Sequence, residues 1–88
     1  MMITIYGTAQ CGFCHDAVSL AKKYGIPYEY KDIGLSKYYR QLRSEHVDMQ
    51  KIPHIWWDDK YIGHYREFYS AVQTQLMMED TSLVTSRD

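Results

Sequence analysis

Along the chain the spacing of apolar residues switches between two and about 3.6, and the switches mark the elements. Ile3, Ile5 and Tyr6, closed by Gly7, predict a short strand over 2–6. Ala17, Leu20, Ala21 and Tyr24 recur at the helical period, so a helix is expected from about 12 to 24, ended by Gly25 and Pro27. From Pro27 to Ile33 aromatic and charged residues alternate as a second strand that stops near Gly34. Leu35, Tyr38, Tyr39 and Leu42 lie at i, i+3, i+4 and i+7, the apolar stripe of a second helix with Ser36 as its cap. A polar connection over 48–52 leads into a third strand from Pro53 to Trp57. Asp58-Asp59-Lys60 then turns the chain into a short fourth strand at Tyr61-Ile62. Tyr65, Phe68, Val72 and Leu76 mark a closing helix, while 79–88 shows no period and is expected to fray.

The order strand, helix, strand, helix, strand, strand, helix defines an α/β fold. Its first three elements predict a right-handed parallel βαβ unit and its last two strands an antiparallel hairpin. The expected result is a four-stranded mixed sheet flanked by three helices. At 88 residues this is one domain, placed at 1–78 with a tail at 79–88.

Composition narrows the function classes. Eleven acidic residues against ten basic ones leave a net charge of −1, and 45% of residues are hydrophobic. That balance excludes disorder, which needs low hydrophobicity and high net charge. It also gives no global footprint for nucleic acid. No run approaches the ~18 apolar residues of a membrane span. Met1 to Gly7 lacks the basic region and apolar run of a secretory signal, so a cytoplasmic address is expected.

The chemistry concentrates in Cys11-Gly12-Phe13-Cys14, where the first strand hands over to the first helix. One bridge across so short a loop would restrain little of the unfolded chain, so a structural staple explains the pair poorly. A helix start offers unpaired N–H groups and the positive end of the peptide dipoles, and both favour a thiolate at Cys11. Cys14, one turn inside, is less accessible. Cys11 is thus the expected nucleophile, and Cys14 the thiol that resolves the mixed disulfide.

Other readings of these residues fit less well. Cys11 to His15 matches the C-x-x-C-H string of haem attachment, but strands and no export signal surround it. A zinc site drawing on His46, His54 or His64 has neither a second C-x-x-C nor H-x₃₋₅-H spacing, so no metal is assigned. His15 reads as an exposed helix residue. Trp56 and Trp57 read as core, the tyrosines as packing residues, and Lys22 and Lys23 as a solvated face.

Taken together, Ile5-Tyr6-Gly7, Cys11-Gly12-Phe13-Cys14, Tyr30-Lys31-Asp32-Ile33, Ile52-Pro53 and Ile62-Gly63-His64-Tyr65-Arg66-Glu67-Phe68 resemble a glutaredoxin of the thioredoxin superfamily. The resemblance covers the chain to about residue 76 and implies a thioredoxin-like fold. It implies a cis Ile52-Pro53 bond facing the cysteines, and a glutathione and substrate surface made of Thr8, Phe13, Ile52, Pro53, Gly63, His64, Tyr65, Arg66 and Glu67. It further implies glutathione as reductant with no permanently bound cofactor, disulfide-containing proteins as partners with ribonucleotide reductase a candidate client, and a monomer. The chain departs from the family pattern at several points. Gly12-Phe13 replaces proline-tyrosine, Thr8 stands where a basic residue is common, His64 replaces the second glycine of a pair, and Arg66-Glu67 replaces Thr or Ser followed by Asp. Two alternatives follow: a glutaredoxin-like redoxin reduced by thioredoxin reductase, and a glutathione-assisted iron–sulfur carrier suggested by Cys-Gly-Phe.

Overall fold

The computed structural model describes the backbone of residues 2–87 and the side chains of 2–76. Its elements are β1 (Ile3–Gly7), α1 (Gly12–Lys23), β2 (Tyr28–Asp32), α2 (Ser36–Arg43), β3 (His54–Trp57), β4 (Lys60–Gly63) and α3 (Tyr65–Arg87). They build one sheet in the order β2-β1-β3-β4. β1 pairs with β2 in parallel, with Ile5 opposite Tyr30 and Gly7 opposite Asp32. The β1–β3 and β3–β4 pairs are antiparallel. This is the expected thioredoxin-like arrangement of four mixed strands and three helices.

Alternation along the strands divides the sheet's residues between its two faces. Ile3, Ile5 and Ile55 point to the side covered by α1 and α3, where they close a core with Ala17, Leu20, Ala21, Phe68 and Val72. Burying such aliphatic and aromatic side chains contributes about 1.5–3 kcal/mol each. The opposite face carries Tyr6 and Trp56, whose rings meet edge to face at 5.4 Å. The two tryptophans therefore part company. Trp57 packs partly buried against the core beside Phe68, whereas Trp56 lies half-buried on the other face between Tyr6 and Tyr61. Trp57 thus meets the core reading in part, whereas Trp56 departs from it, because α2 packs against β2 and Trp56 is left half-buried on that face.

Local chemistry sets the element ends. Helix α1 stops in a Schellman motif: Gly25 takes φ +64, its N–H donates to Lys22 O at 3.1 Å, and Ile26 N–H donates to Ala21 O at 2.9 Å. The expected Ser36 cap is not formed. Leu35 is the capping residue of α2 and supplies no side-chain bond. The chain reaches the helix one residue early because Asp32 Oδ1 accepts Gly34 N–H at 2.8 Å and Asp32 O accepts Leu35 N–H at 3.0 Å. Of the predicted stripe on α2, Leu42 is buried and Tyr38 half-buried, while Leu35 and Tyr39 are exposed. The β3–β4 turn uses Asp58 at φ +55 in place of glycine. The backbone of Asp58 donates to Met2 O, and its carboxylate accepts Met2 N–H, both at 2.8 Å. Where the sequence predicts a frayed tail at 79–88, the backbone of α3 continues as helix to Arg87, a stretch free of Gly and Pro breakers. The side chains of that stretch, and with them the boundary at 78, lie outside the described residues.

Candidate active site

β1 ends at Gly7, and Thr8, Ala9 and Gln10 carry the chain to Cys11, the N-cap of α1. Cys11 is extended, at φ −92 and ψ 116, and its sulfur accepts Cys14 N–H at 3.3 Å. A capping side chain makes this bond ordinarily through oxygen; here the acceptor is the sulfur that must carry negative charge to react. Thr8, half-buried, holds the loop by accepting Cys11 N–H at 3.3 Å. Cys11 is partly exposed and Cys14 completely buried, both as free thiols. Burial, reinforced by the bond with Cys11 and opposed by Thr8 N–H, pushes the Cys14 thiol up to about 12. The inequality expected from the spacing is therefore built into depth: one sulfur meets solvent and the other does not.

The bed beneath Cys14 has a shape that sequence alone does not reveal. Gly7 lies directly under it. A Cβ at Gly7 would overlap Cys14 Sγ, and it would lie 2.9 Å from Cys14 Cβ and 3.2 Å from Tyr30 Oη. Gly7 is thus required for its missing side chain. Tyr30, read from sequence as packing, brings its hydroxyl to the same space above Gly7.

The facing wall comes from the 48–52 connection and β3. Ile52-Pro53 is cis, as the resemblance implies. Cys11 Sγ donates to Ile52 O at 3.8 Å, a weak bond that places the partly exposed sulfur beside this backbone. Buried His54 anchors the wall: Nε2 donates to Asp48 O at 2.7 Å, and Nδ1 accepts from Tyr61 Oη at 2.8 Å. Burial lowers its affinity for a proton, consistent with this neutral tautomer. His64 Nδ1 donates to Pro53 O at 2.9 Å, and its ring lies 4.8 Å from that of His54. Sequence reading had no signal for His54, because its role is fixed by partners six and seven residues away.

Phe13, Ile52, Pro53, His64, Tyr65 and Arg66 together line one cavity of about 480 Å³, joined by Tyr69 one turn along α3. Phe13 is 61% exposed and stacks on Tyr65 with ring centres 5.9 Å apart, so the starts of α1 and α3 meet through aromatic rings. An apolar groove with one cation, Arg66, on its lining suits a short peptide bearing a carboxylate.

Three of the sequence-selected residues stand elsewhere. Thr8 sits behind the cysteine loop rather than on this lining. Gly63, buried at φ +124, is the bend from β4 into α3, where a side chain would also crowd Glu67. Glu67 turns back onto the helix start, Oε1 accepting His64 N–H at 2.8 Å. That bond, more than any neighbouring charge, holds its carboxyl below the usual range. His15 is exposed, as expected, with its ring donating to Ala9 O at 2.6 Å rather than facing the thiols. Among the described residues, no three His, Cys, Asp or Glu side chains gather as a metal site requires.

A partly exposed sulfur on a helix cap, a buried sulfur one turn inside and a facing cis-proline wall define a dithiol redox protein of the thioredoxin-like class. The family model for glutaredoxin matches residues 3–62, and the chain belongs to the glutaredoxin family, whose members are thiol–disulfide oxidoreductases. Among solved structures it is similar to reduced Escherichia coli glutaredoxin, at 28% identity and a TM-score of 0.72, with 86% of this chain and 98% of that one covered. It is also similar in fold to glutaredoxin 1 from Francisella tularensis, solved with cacodylate, at 20% identity and TM-score 0.69, covering 85% and 95%. The glutaredoxin-like NrdH-redoxin from Escherichia coli shares the fold at 22% identity and TM-score 0.65, covering 76% and 87%. No curated protein matches the chain. No helix among the described residues is long and apolar enough to cross a membrane.

Proposed function

We propose that this glutaredoxin-family chain is a glutathione-dependent dithiol oxidoreductase that reduces protein disulfides and glutathione mixed disulfides as a cytoplasmic monomer. The thiolate of Cys11 attacks the substrate disulfide and forms a mixed disulfide. Cys14 attacks Cys11 and releases the reduced substrate, and glutathione then reopens the Cys11–Cys14 bond. The observation that carries this reading is the pairing of depths: Cys11 partly exposed beside Ile52 O, and Cys14 buried with its N–H on the Cys11 sulfur. The groove between Phe13 and Tyr65 supports a small peptide thiol as co-substrate, with Arg66 available to a carboxylate. Ribonucleotide reductase is the proposed protein client on family grounds alone.

A second reading keeps the chemistry and changes the reductant to thioredoxin reductase. It is favoured by the start of α3, where the Glu67 carboxylate already occupies His64 N–H and the His64 ring closes onto Pro53 O. An NADPH-coupled assay with glutathione and glutathione reductase in one arm, and thioredoxin reductase in the other, separates the two. Turnover with glutathione supports the first reading; turnover restricted to thioredoxin reductase replaces it with the second.

A further inference from the structure

Tyr30 stands on β2 directly opposite Ile5 and shares the α1 side of the sheet with it. Its hydroxyl is buried and has no hydrogen-bond partner among the described residues. A buried hydroxyl without a partner carries a desolvation cost that folded proteins seldom leave in place. The same hydroxyl lies 3.2 Å from the point above Gly7 where a Cβ would overlap the Cys14 sulfur, so hydroxyl and sulfur border one space. The other titratable groups acting on it are Cys11 at the start of α1 and Asp32 further along β2, and Asp32 is engaged with Gly34 N–H.

We propose that Tyr30 is the hydrogen-bond donor reserved for the Cys14 thiolate, stabilising it as that sulfur attacks Cys11 and again when it is expelled. This rests on Cys14 acting as the resolving thiol. In the resolving step the Cys14 S–H bond breaks and its proton leaves to the departing sulfur or bulk water. The Cys11–Cys14 bond forms as the bond from Cys11 to the substrate sulfur breaks, and the electron pair departs with that sulfur. Charge on Cys14 exists only during this exchange, in a buried place where water cannot screen it. A buried, partnerless O–H beside that sulfur gains a partner when the thiolate develops, which is how a dipole already in place lowers a barrier. Burial, with the charge of Cys14 behind it, pushes the Tyr30 hydroxyl up to about 12, so it keeps the proton that a thiolate would accept. The arrangement trades stability of the resting dithiol for speed of resolution.

The test follows release of thionitrobenzoate from 5,5′-dithiobis(2-nitrobenzoate) by stopped flow. Attack by Cys11 releases one equivalent, and resolution by Cys14 releases a second. In Tyr30→Phe the first phase is expected to be unchanged and the second slowed about 10- to 100-fold, the range for losing a hydrogen bond to a charged group. The variant is also expected to melt at a higher Tm, because the partnerless hydroxyl is gone. In a Cys14→Ser background Tyr30→Phe should leave the remaining single phase untouched. An unchanged second phase, or equal slowing of both phases, overturns the role of Tyr30. Two equivalents released by Cys14→Ser alone would instead overturn the resolving role of Cys14. A lower Tm with an intact first phase shows Tyr30 to be a packing residue and also counts against the proposal.

Discussion

Two strand-to-helix junctions face each other across the groove, and they use the same backbone resource in opposite ways. At the β1–α1 junction the N–H of Cys14 goes to the Cys11 sulfur, so the helix start is coupled to a group that changes charge during reaction. At the β4–α3 junction His64 N–H goes to the permanently ionisable carboxylate of Glu67. A helix start is a general anion site. Its function depends on which anion the chain supplies: a sulfur makes it reactive, whereas a carboxylate three residues into the helix makes it a self-contained cap.

The largest effect expected from this contrast belongs to Cys11. Cys11→Ser removes the partly exposed thiol of the pair and should lower disulfide reduction roughly a thousandfold or more, as loss of a nucleophile does. Glu67→Ala, which empties the other junction's cap, should leave the first chemical step within a few-fold. Comparable losses in the two variants, measured in the same coupled assay, would break the distinction between a reactive and a structural helix start.

Gly7→Ala comes next and probes what lies under the reactive junction. The added Cβ overlaps Cys14 Sγ, so Cys14 or β1 must shift, and overpacking of this kind costs about 1–3 kcal/mol. Urea unfolding should show that loss, and the double variant Gly7→Ala, Cys14→Ala should recover only part of it, because Sγ is gone while Cys14 Cβ still lies 2.9 Å away. A single variant as stable as the parent chain would show that the bed beneath Cys14 is looser than the geometry implies.

How much of this was legible in the sequence follows from the range of each interaction. The helix period of Ala17, Leu20 and Ala21 and the β-branched Ile3 and Ile5 are local patterns, and they foretell the core and the element order. The unequal depths of Cys11 and Cys14 also follow from one turn of helix. Tyr30, by contrast, comes to border the space between Gly7 and Cys14 only through the parallel register of β1 and β2. His54 acts through a loop carbonyl and a hairpin neighbour, which no spacing announces. Glu67 was readable as acidic, but its direction was not, since a capping carboxylate and a ligand-facing one have the same letter in the same place. The Ser36 cap failed for a similar reason: the Asp32 turn upstream decided where α2 begins.

A smaller effect tests the cap itself. The carboxyl of Glu67 is lowered chiefly by His64 N–H, so the folded state binds this proton less readily than the unfolded chain. The stability it contributes is fully present above the unfolded value of ~4.3 and is lost as pH falls through the lower folded value. Because the side chain is exposed and screened, the contribution is about 0.5 kcal/mol. Glu67→Gln should flatten this part of the acid limb in urea titrations, and high salt should mimic the substitution. If glutathione competes for His64 N–H, the same variant should lower its KM a few-fold. An unchanged KM would place the tripeptide's carboxylates elsewhere in the groove.

The smallest effect concerns the link between the two junctions, the stacked rings of Phe13 and Tyr65. Phe13 is mostly exposed, so Phe13→Ala should cost little stability by itself. Its ring nevertheless spans the mouth of the groove, and a few-fold rise in KM for a peptide disulfide is expected with kcat unchanged. A double-mutant cycle with Tyr65→Ala should return a coupling of about 0.5–1.5 kcal/mol, the range of an aromatic pair. Coupling in stability but not in KM would make the stack a clasp between α1 and α3. Coupling in both would mean that the two helix starts, one reactive and one capped, are held in register by the surface that meets the substrate.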